Sequence, residues 1–169
     1  VKLAEDYKVT VNHGDTYNFA DNVPGELTHE GRNYVKDVQT LVLSGTVSGE
    51  IELTVVYSLD ANGDHIPDKY EAKVSYTAVN GTIDEAYRGQ TYYVELKDGA
   101  GNWSTEGTGH LEPEQIATAT PNTGYGNGKW NVEPTTELDI TGDRVFTITY
   151  EVNQYSAVIH YVSDAEEPV

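Results

Sequence analysis

The residues with the most pointed chemistry lie in the run Leu-Asp-Ala-Asn-Gly-Asp-His-Ile-Pro-Asp-Lys-Tyr-Glu, which begins at Leu59 and ends at Glu71. Counted from Asp60, oxygen-bearing side chains fall at loop positions 1, 3, 5, 9 and 12, namely Asp60, Asn62, Asp64, Asp68 and Glu71, and the Ile66 carbonyl takes position 7. A hard cation such as Ca²⁺ takes about six to eight oxygens, and alternate residues of a tight loop can aim carboxylates inward. These six residues are the candidate metal ligands, with Ca²⁺ as the candidate cofactor. One position is out of pattern: such loops turn sharply on a Gly at position 6, where this chain has His65, and its Gly stands at 63. The same residues also fit an acidic, Gly- and Pro-containing turn that joins two domains without metal.

Other reactive constellations are thin. His13, His29, His65, His110 and His160 are scattered, without the clustered spacing a catalytic metal needs. Serines occur without a nucleophile-elbow pattern, and Gly124-Tyr125-Gly126-Asn127-Gly128, although Lys129 follows it, lacks the helix of a phosphate loop. Carboxylate pairs such as Glu112 and Glu114 are too common in an acidic chain to mark a site. The expectation is a non-enzymatic protein. Aromatic residues offer a different chemistry, since Trp103, Trp130, Tyr125, Tyr92 and Tyr93 could stack on sugar rings or dock a protein. Trp130 and Tyr125 read better as core anchors. Trp103, in the polar turn Asp98-Gly99-Ala100-Gly101-Asn102-Trp103-Ser104, is the candidate exposed aromatic and the candidate ligand-binding residue.

Composition narrows the partners. With 28 acidic and 10 basic side chains in 169 residues, the formal net charge is −18. A nucleic-acid binder needs clustered Lys and Arg to neutralise phosphates, so nucleic acid is excluded as the main partner, and an anionic membrane surface is disfavoured in the same way. Cys and Met are both absent, which removes disulfides, thiolate metal sites and cysteine nucleophiles. No run approaches the roughly 18 apolar residues of a membrane helix. Without an initiator Met the chain is expected to be a processed piece or an excised segment, with any anchor outside it. Thirteen Tyr, two Phe and two Trp supply enough large side chains for compact cores.

The elements that must position these residues are strands. Ile51, Leu53, Val55 and Tyr57 alternate with mostly polar neighbours, as do Val74, Tyr76 and Ala78, and Phe146, Ile148, Tyr150 and Val152. A period of two is expected where one face of a strand is buried. The segments 7–11, 33–38, 91–96, 129–132 and 155–162 also read as strands. Turn chemistry is dense at Asn80-Gly81, Asp98-Gly99, Asn127-Gly128 and Thr141-Gly142-Asp143. The best helix candidate is 112–119, where Pro113 suits a first turn. The fold class is therefore β-rich, between all-β and α+β, with two small tandem domains of mostly antiparallel or mixed sheet and little helix. Boundaries are expected at 1–59 for a first β domain, 60–71 for an acidic linker and possible calcium loop, 72–153 for a second β domain, and 154–169 for a strand completing an N-terminal-type unit in cis or in trans. Each half holds a small core, so each is expected to be marginally stable.

Three resemblances attach to these residues. The Asp-x-Asn-x-Asp run followed by Pro-Asp is similar to an EF-hand-like loop and to the calcium loops of thrombospondin type 3 repeats. Residues 70–152 resemble a β-grasp surface repeat of the Listeria–Bacteroides type, related to internalin B-repeats, through Val74-Ser-Tyr-Thr-Ala-Val79 running into Asn80-Gly81, Pro121-Asn-Thr-Gly-Tyr125, Trp130 and Phe146-Thr-Ile-Thr-Tyr150. The insert around 98–106 departs from the short form of that repeat. Residues 6–59 are similar to MucBP-like repeats, through Gly14-Asp15-Thr16-Tyr17, Tyr34-Val35 and Leu53-Thr-Val-Val-Tyr57. The opening strand of such repeats is missing at the N-terminus, while Val158-Ile-His-Tyr-Val-Ser-Asp164 has its form at the other end.

The resemblance implies a bacterial, Gram-positive type of cell-surface protein, extracellular and cell-wall associated, in which such modules act as spacer, stalk or adhesin. It implies neighbouring repeats of the same chain and a host or envelope glycan or protein as partners. A carbohydrate-binding module recognising mucin glycans is the alternative, although fold does not transfer ligand.

Overall fold

A computed structural model describes residues 2–38 and 41–161 of the chain. Eleven strands and three short 3-10 turns make up the regular structure of these residues, and none of them forms an α-helix. The chain is β-rich, built from several mostly antiparallel sheets.

The N-terminal half carries two small sheets. β1 (Thr16–Asn18) pairs antiparallel with β4 (Ser44–Thr46). β2 (Glu26–His29) and β3 (Arg32–Lys36) form a hairpin, and β5 (Tyr57–Leu59) adds to the other side of β3, giving the order β2-β3-β5. The hairpin loop is Glu30-Gly31 with φ of 49° and 74°, the two positive values of a turn whose twist matches its flanking strands. Val35 is the one buried hydrophobic residue among the described part of this half.

The C-terminal half holds the core. β6 (Glu71–Val79) runs antiparallel to β8 (Tyr92–Glu95) and parallel to β11 (Arg144–Val152), which in turn pairs antiparallel with β10 (Tyr125–Trp130). The sheet order is β10-β11-β6-β8, and β7 (Gly81–Ile83) with β9 (Ala119–Pro121) makes a separate ribbon. The alternation read from the sequence is the packing observed: Ala72, Val74 and Tyr76 of β6 and Phe146, Ile148 and Tyr150 of β11 all point into one cluster with Ile83, Val94, Leu96, Leu111, Ala117 and Ile140. A parallel pair needs a long crossover, and residues 80–143 supply it. Asn80-Gly81 serves this packing rather than a hairpin. A Cβ on Gly81 would stand 2.5 Å from the Tyr150 ring, and Asn80 Nδ2 donates to the Tyr150 carbonyl at 3.0 Å.

Five expected elements differ. Residues 7–11 form no strand; Tyr7 instead sets its ring edge against Phe19, 6.2 Å between centroids. Among the described residues the strand expected from Ile51 enters a ladder only at Tyr57, opposite Lys36 at the end of β3, beyond which the Asp37 side chain turns into a polar network described below. The helix expected over 112–119 is a single 3-10 turn, Pro113–Gln115, closed by the Gln115 side chain on the Glu112 N–H at 2.8 Å, after which the backbone is extended. Strand 129–132 begins earlier, at Tyr125, and stops at Trp130, where the Asn131 side-chain oxygen takes the N–H groups of Val132 and Thr147. At the C-terminal end, residues 155–161 make no strand, and 162–169 lie outside the described residues. The expected pairing of that segment within the chain is therefore absent from its described part.

Candidate functional site

The acidic loop is the joint between the two halves, running from the end of β5 to the start of β6. Its fold follows from short side chains capping their own backbone. Asp60 is 3% exposed, and its two oxygens accept the N–H groups of Gly63 at 2.7 Å and His65 at 3.1 Å. Asp64 accepts from the Ile66 N–H at 2.9 Å, and Asp68 reaches back to the Ala61 N–H at 2.8 Å. Pro67 then starts the 3-10 turn Asp68–Tyr70 that leads into β6.

Loop positions 3, 5 and 12 converge on one group. Asn62 Nδ2 donates to Asp64 Oδ2 at 2.9 Å and lies 3.2 and 3.3 Å from the two oxygens of Glu71. The amide hydrogens thus sit between two carboxylates, where a cation would carry positive charge. Rotating that amide would present its oxygen instead. Glu71 is buried, and its carboxyl is pushed up to about 8, first by burial, then by a shared hydrogen bond with Asp64 and the charges of Asp64 and Asp68. The Gly missing from position 6 is replaced in conformation: His65 adopts φ 72°, the left-handed region, and Gly63 adopts 79°. His65 Nδ1 also contacts Glu26 Oε1 of β2 at 2.7 Å. The donor set is all oxygen, which suits a hard cation. Among the described residues no three acidic or His side chains already stand in a group that could hold a metal, so Asp60 and Asp68 would have to leave their N–H partners or share them.

A second cluster beside the loop was not legible in the sequence. Asp37, buried just past β3, accepts from Ser58 Oγ at 3.0 Å, Tyr70 Oη at 2.8 Å and the Val38 N–H at 2.7 Å, and pairs with the Lys69 ammonium. Burial works to raise its carboxyl, but these four donors outweigh it and hold the group below the usual carboxylate range. Lys69 is correspondingly raised, chiefly by its bond to Asp37. Both shifts favour the charged forms, so this is an ion pair tying residue 37 to the 3-10 turn. Only an aspartate at the end of a strand-like run hinted at it.

Trp103 does not stand free. Its ring stacks on Tyr70, 6.3 Å between centroids and 23° between planes, and its indole N–H donates to Glu95 at 3.4 Å. It is half-buried beside the joint, which corrects its reading as an exposed aromatic. Trp130, Tyr125 and Tyr92 pack against the core, with Trp130 edge-on to Tyr76 at 6.0 Å. Tyr93 lies under the Lys73 ammonium at 5.7 Å. The surface also has two shallow depressions, one lined by His110, Leu111, Glu112 and Glu137, the other by Arg32, Asn33, Leu59 and Asp60. No family model, no curated protein and no solved structure matches this chain.

Proposed function

We propose that the chain is a non-enzymatic spacer or adhesin segment of a bacterial cell surface, in which residues 60–71 act as a Ca²⁺ clamp fixing a weak N-terminal β unit to a well-packed C-terminal one. The observation that carries this reading is the placement of the loop. The oxygen-bearing positions of a calcium loop occur at the covalent joint, three of them already meet at Asn62, and His65 holds the left-handed turn the pattern requires. Asp60, Asn62, Asp64, Ile66, Asp68 and Glu71 would hold the ion, which would supply charge neutralisation and rigidity, with no chemistry. The central parallel pairing of β6 and β11 supports the β-grasp resemblance on which the cell-surface reading rests. The packing of Trp103 on Tyr70 and of Trp130 on the core supports a spacer over a glycan-binding platform.

The test is thermal unfolding in excess Ca²⁺ and in chelator. An ion that binds only the folded state stabilises it by about 2.7 kcal/mol at a hundred times its Kd. The expected result is an upward shift of several degrees with Ca²⁺ that the double change Asp64→Ala, Asp68→Ala removes. Identical melting with and without Ca²⁺ would sink the clamp.

A further inference from the structure

Two alternating apolar segments of this chain stand outside every ladder among the described residues. One is 51–55, which leads into β5, an edge strand that pairs only with β3. The other is 155–161, where Tyr155, Ala157, Ile159 and Tyr161 share one face. Tyr155 is 85% exposed and Tyr161 is 90% exposed, with Val158 and Ile159 at 69% and 75%. Such a tail is costly in water and has the period of a strand. We propose that residues 155–161 of one copy of this chain add as a strand alongside the 51–59 edge of a second copy, building a head-to-tail assembly by β-augmentation.

The topology excludes the same pairing within one molecule. β6 begins at Glu71, where the joint and the N-terminal half lie, and runs away from it for nine residues. β11 is parallel to β6, in the register Arg144↔Val74 to Thr149↔Val79, so it leaves the sheet at the far pole. Extending that register places Val152 eleven residue levels beyond Glu71, roughly 35 Å along the strands at about 3.3 Å per residue. The nine residues 153–161 reach about 30 Å when fully extended. The tail would be used up before it returned to β5. A second copy meets no such limit, because its N-terminal half can approach the far pole directly.

The acceptor fits a donor strand. The described N-terminal half buries one hydrophobic residue, Val35, and exposes Tyr7, Val9, Val42, Ile51 and Val56, so a strand laid on it would add the apolar cover it lacks. The tail suits its partner electrostatically as well. Residues 153–161, Asn-Gln-Tyr-Ser-Ala-Val-Ile-His-Tyr, contain no carboxylate, although the chain carries −18 overall. Because the donor and acceptor patches differ and lie at opposite poles, one contact between two copies leaves a donor and an acceptor free, from which a linear assembly can grow.

The experiment is sedimentation of the intact chain in chelator, from about 1 μM to about 1 mM. The expected result is association that grows with concentration into dimers and longer species. Ile159→Lys (donor) and Ile51→Lys (acceptor) should each weaken it at least about tenfold. Mixing the two variants should restore a dimer and nothing larger, since each supplies the patch the other lacks. A second measurement needs no folded variant: a peptide of residues 153–161 added to the isotope-labelled chain should shift amides in 51–59. A chain that stays monomeric across the range, a mixture that gives no dimer, or peptide shifts that avoid 51–59 would each overturn the proposal.

Discussion

Replacing Asp37 by Ala should unfold the N-terminal half while leaving the C-terminal half intact. The carboxylate is 8% exposed and accepts bonds from Ser58 at 3.0 Å and Tyr70 at 2.8 Å, each a bond to a charged acceptor worth about 1.5–3 kcal/mol. The Lys69 side chain is 43% exposed, so water competes for it and the pair adds only about 0–1 kcal/mol. The freed Ser58 and Tyr70 hydroxyls can turn partly to solvent, which favours the low end, a loss of about 3 kcal/mol. Against this, Val35, the one buried hydrophobic residue among the described residues of that half, contributes about 1.5–3 kcal/mol by its burial. The loss is as large as the contribution of that buried side chain. The C-terminal cluster around Phe146, Tyr76 and Ile140 includes none of these groups. Hydrogen exchange reads the outcome directly: amides of β3 and β5 should lose protection in Asp37→Ala, and those of β6 and β11 should keep theirs. Equal loss in both halves would show one cooperative unit and refute the reasoning; unchanged protection in β3 and β5 would show that the network contributes little.

Two further outcomes follow from the same groups. The Asp37 carboxyl is held below its ordinary value in the folded state, so its contribution is present above the unfolded value near 4 and is lost as pH falls through the folded one. Acid melting of the N-terminal half, followed by hydrogen exchange or chemical shifts, should therefore steepen below about pH 4, and Asp37→Asn should flatten that slope. At position 65, with φ 72°, the ordinary order of side chains reverses: His65→Gly should be more stable than His65→Ala by about 1 kcal/mol, because a Cβ in the left-handed region costs about that much. Both variants lose the Glu26 contact, so their difference in melting isolates the backbone, and an Ala variant as stable as the Gly one would disprove the strain.

The strands of the C-terminal half were legible because Val74, Tyr76, Phe146, Ile148 and Tyr150 bury on one face, and burial writes a period of two into the sequence. The same pattern at 51–55 and 155–161 enters no ladder among the described residues of a single chain. Alternation reports that a segment could be a strand; a ladder also needs a partner at the right length, and β3 ends at Lys36. The acidic loop was visible as spacing, and its position-6 defect proved to lie in residue type rather than conformation, since His65 takes the turn that Gly usually takes. Asp37 was hidden because its four donors come from residues 38, 58, 69 and 70, a gathering that only the fold produces. Trp103 was misjudged for the same reason: a polar turn around it says nothing of Tyr70, thirty-three residues earlier, on which it stacks.

The distribution of apolar burial explains why polar devices gather at the joint. Every member of the main buried cluster lies between Ala72 and Tyr150, so the N-terminal half draws no anchor from that cluster. What links it to the rest is the Asp37–Lys69–Tyr70 network, the His65–Glu26 contact and the loop of carboxylates between them. Directional bonds and a cation fix an angle well, because they are short and geometrically defined, and their stabilisation falls on the N-terminal half and the joint rather than on the C-terminal core. They can also be released without unfolding the larger half. If the chain serves as the spacer proposed above, that separation would let the joint set the angle between units while the β6–β11 sheet stays folded. An ion at residues 60–71 would then stiffen the joint, so Ca²⁺ should narrow the spread of joint angles as well as raise the melting temperature.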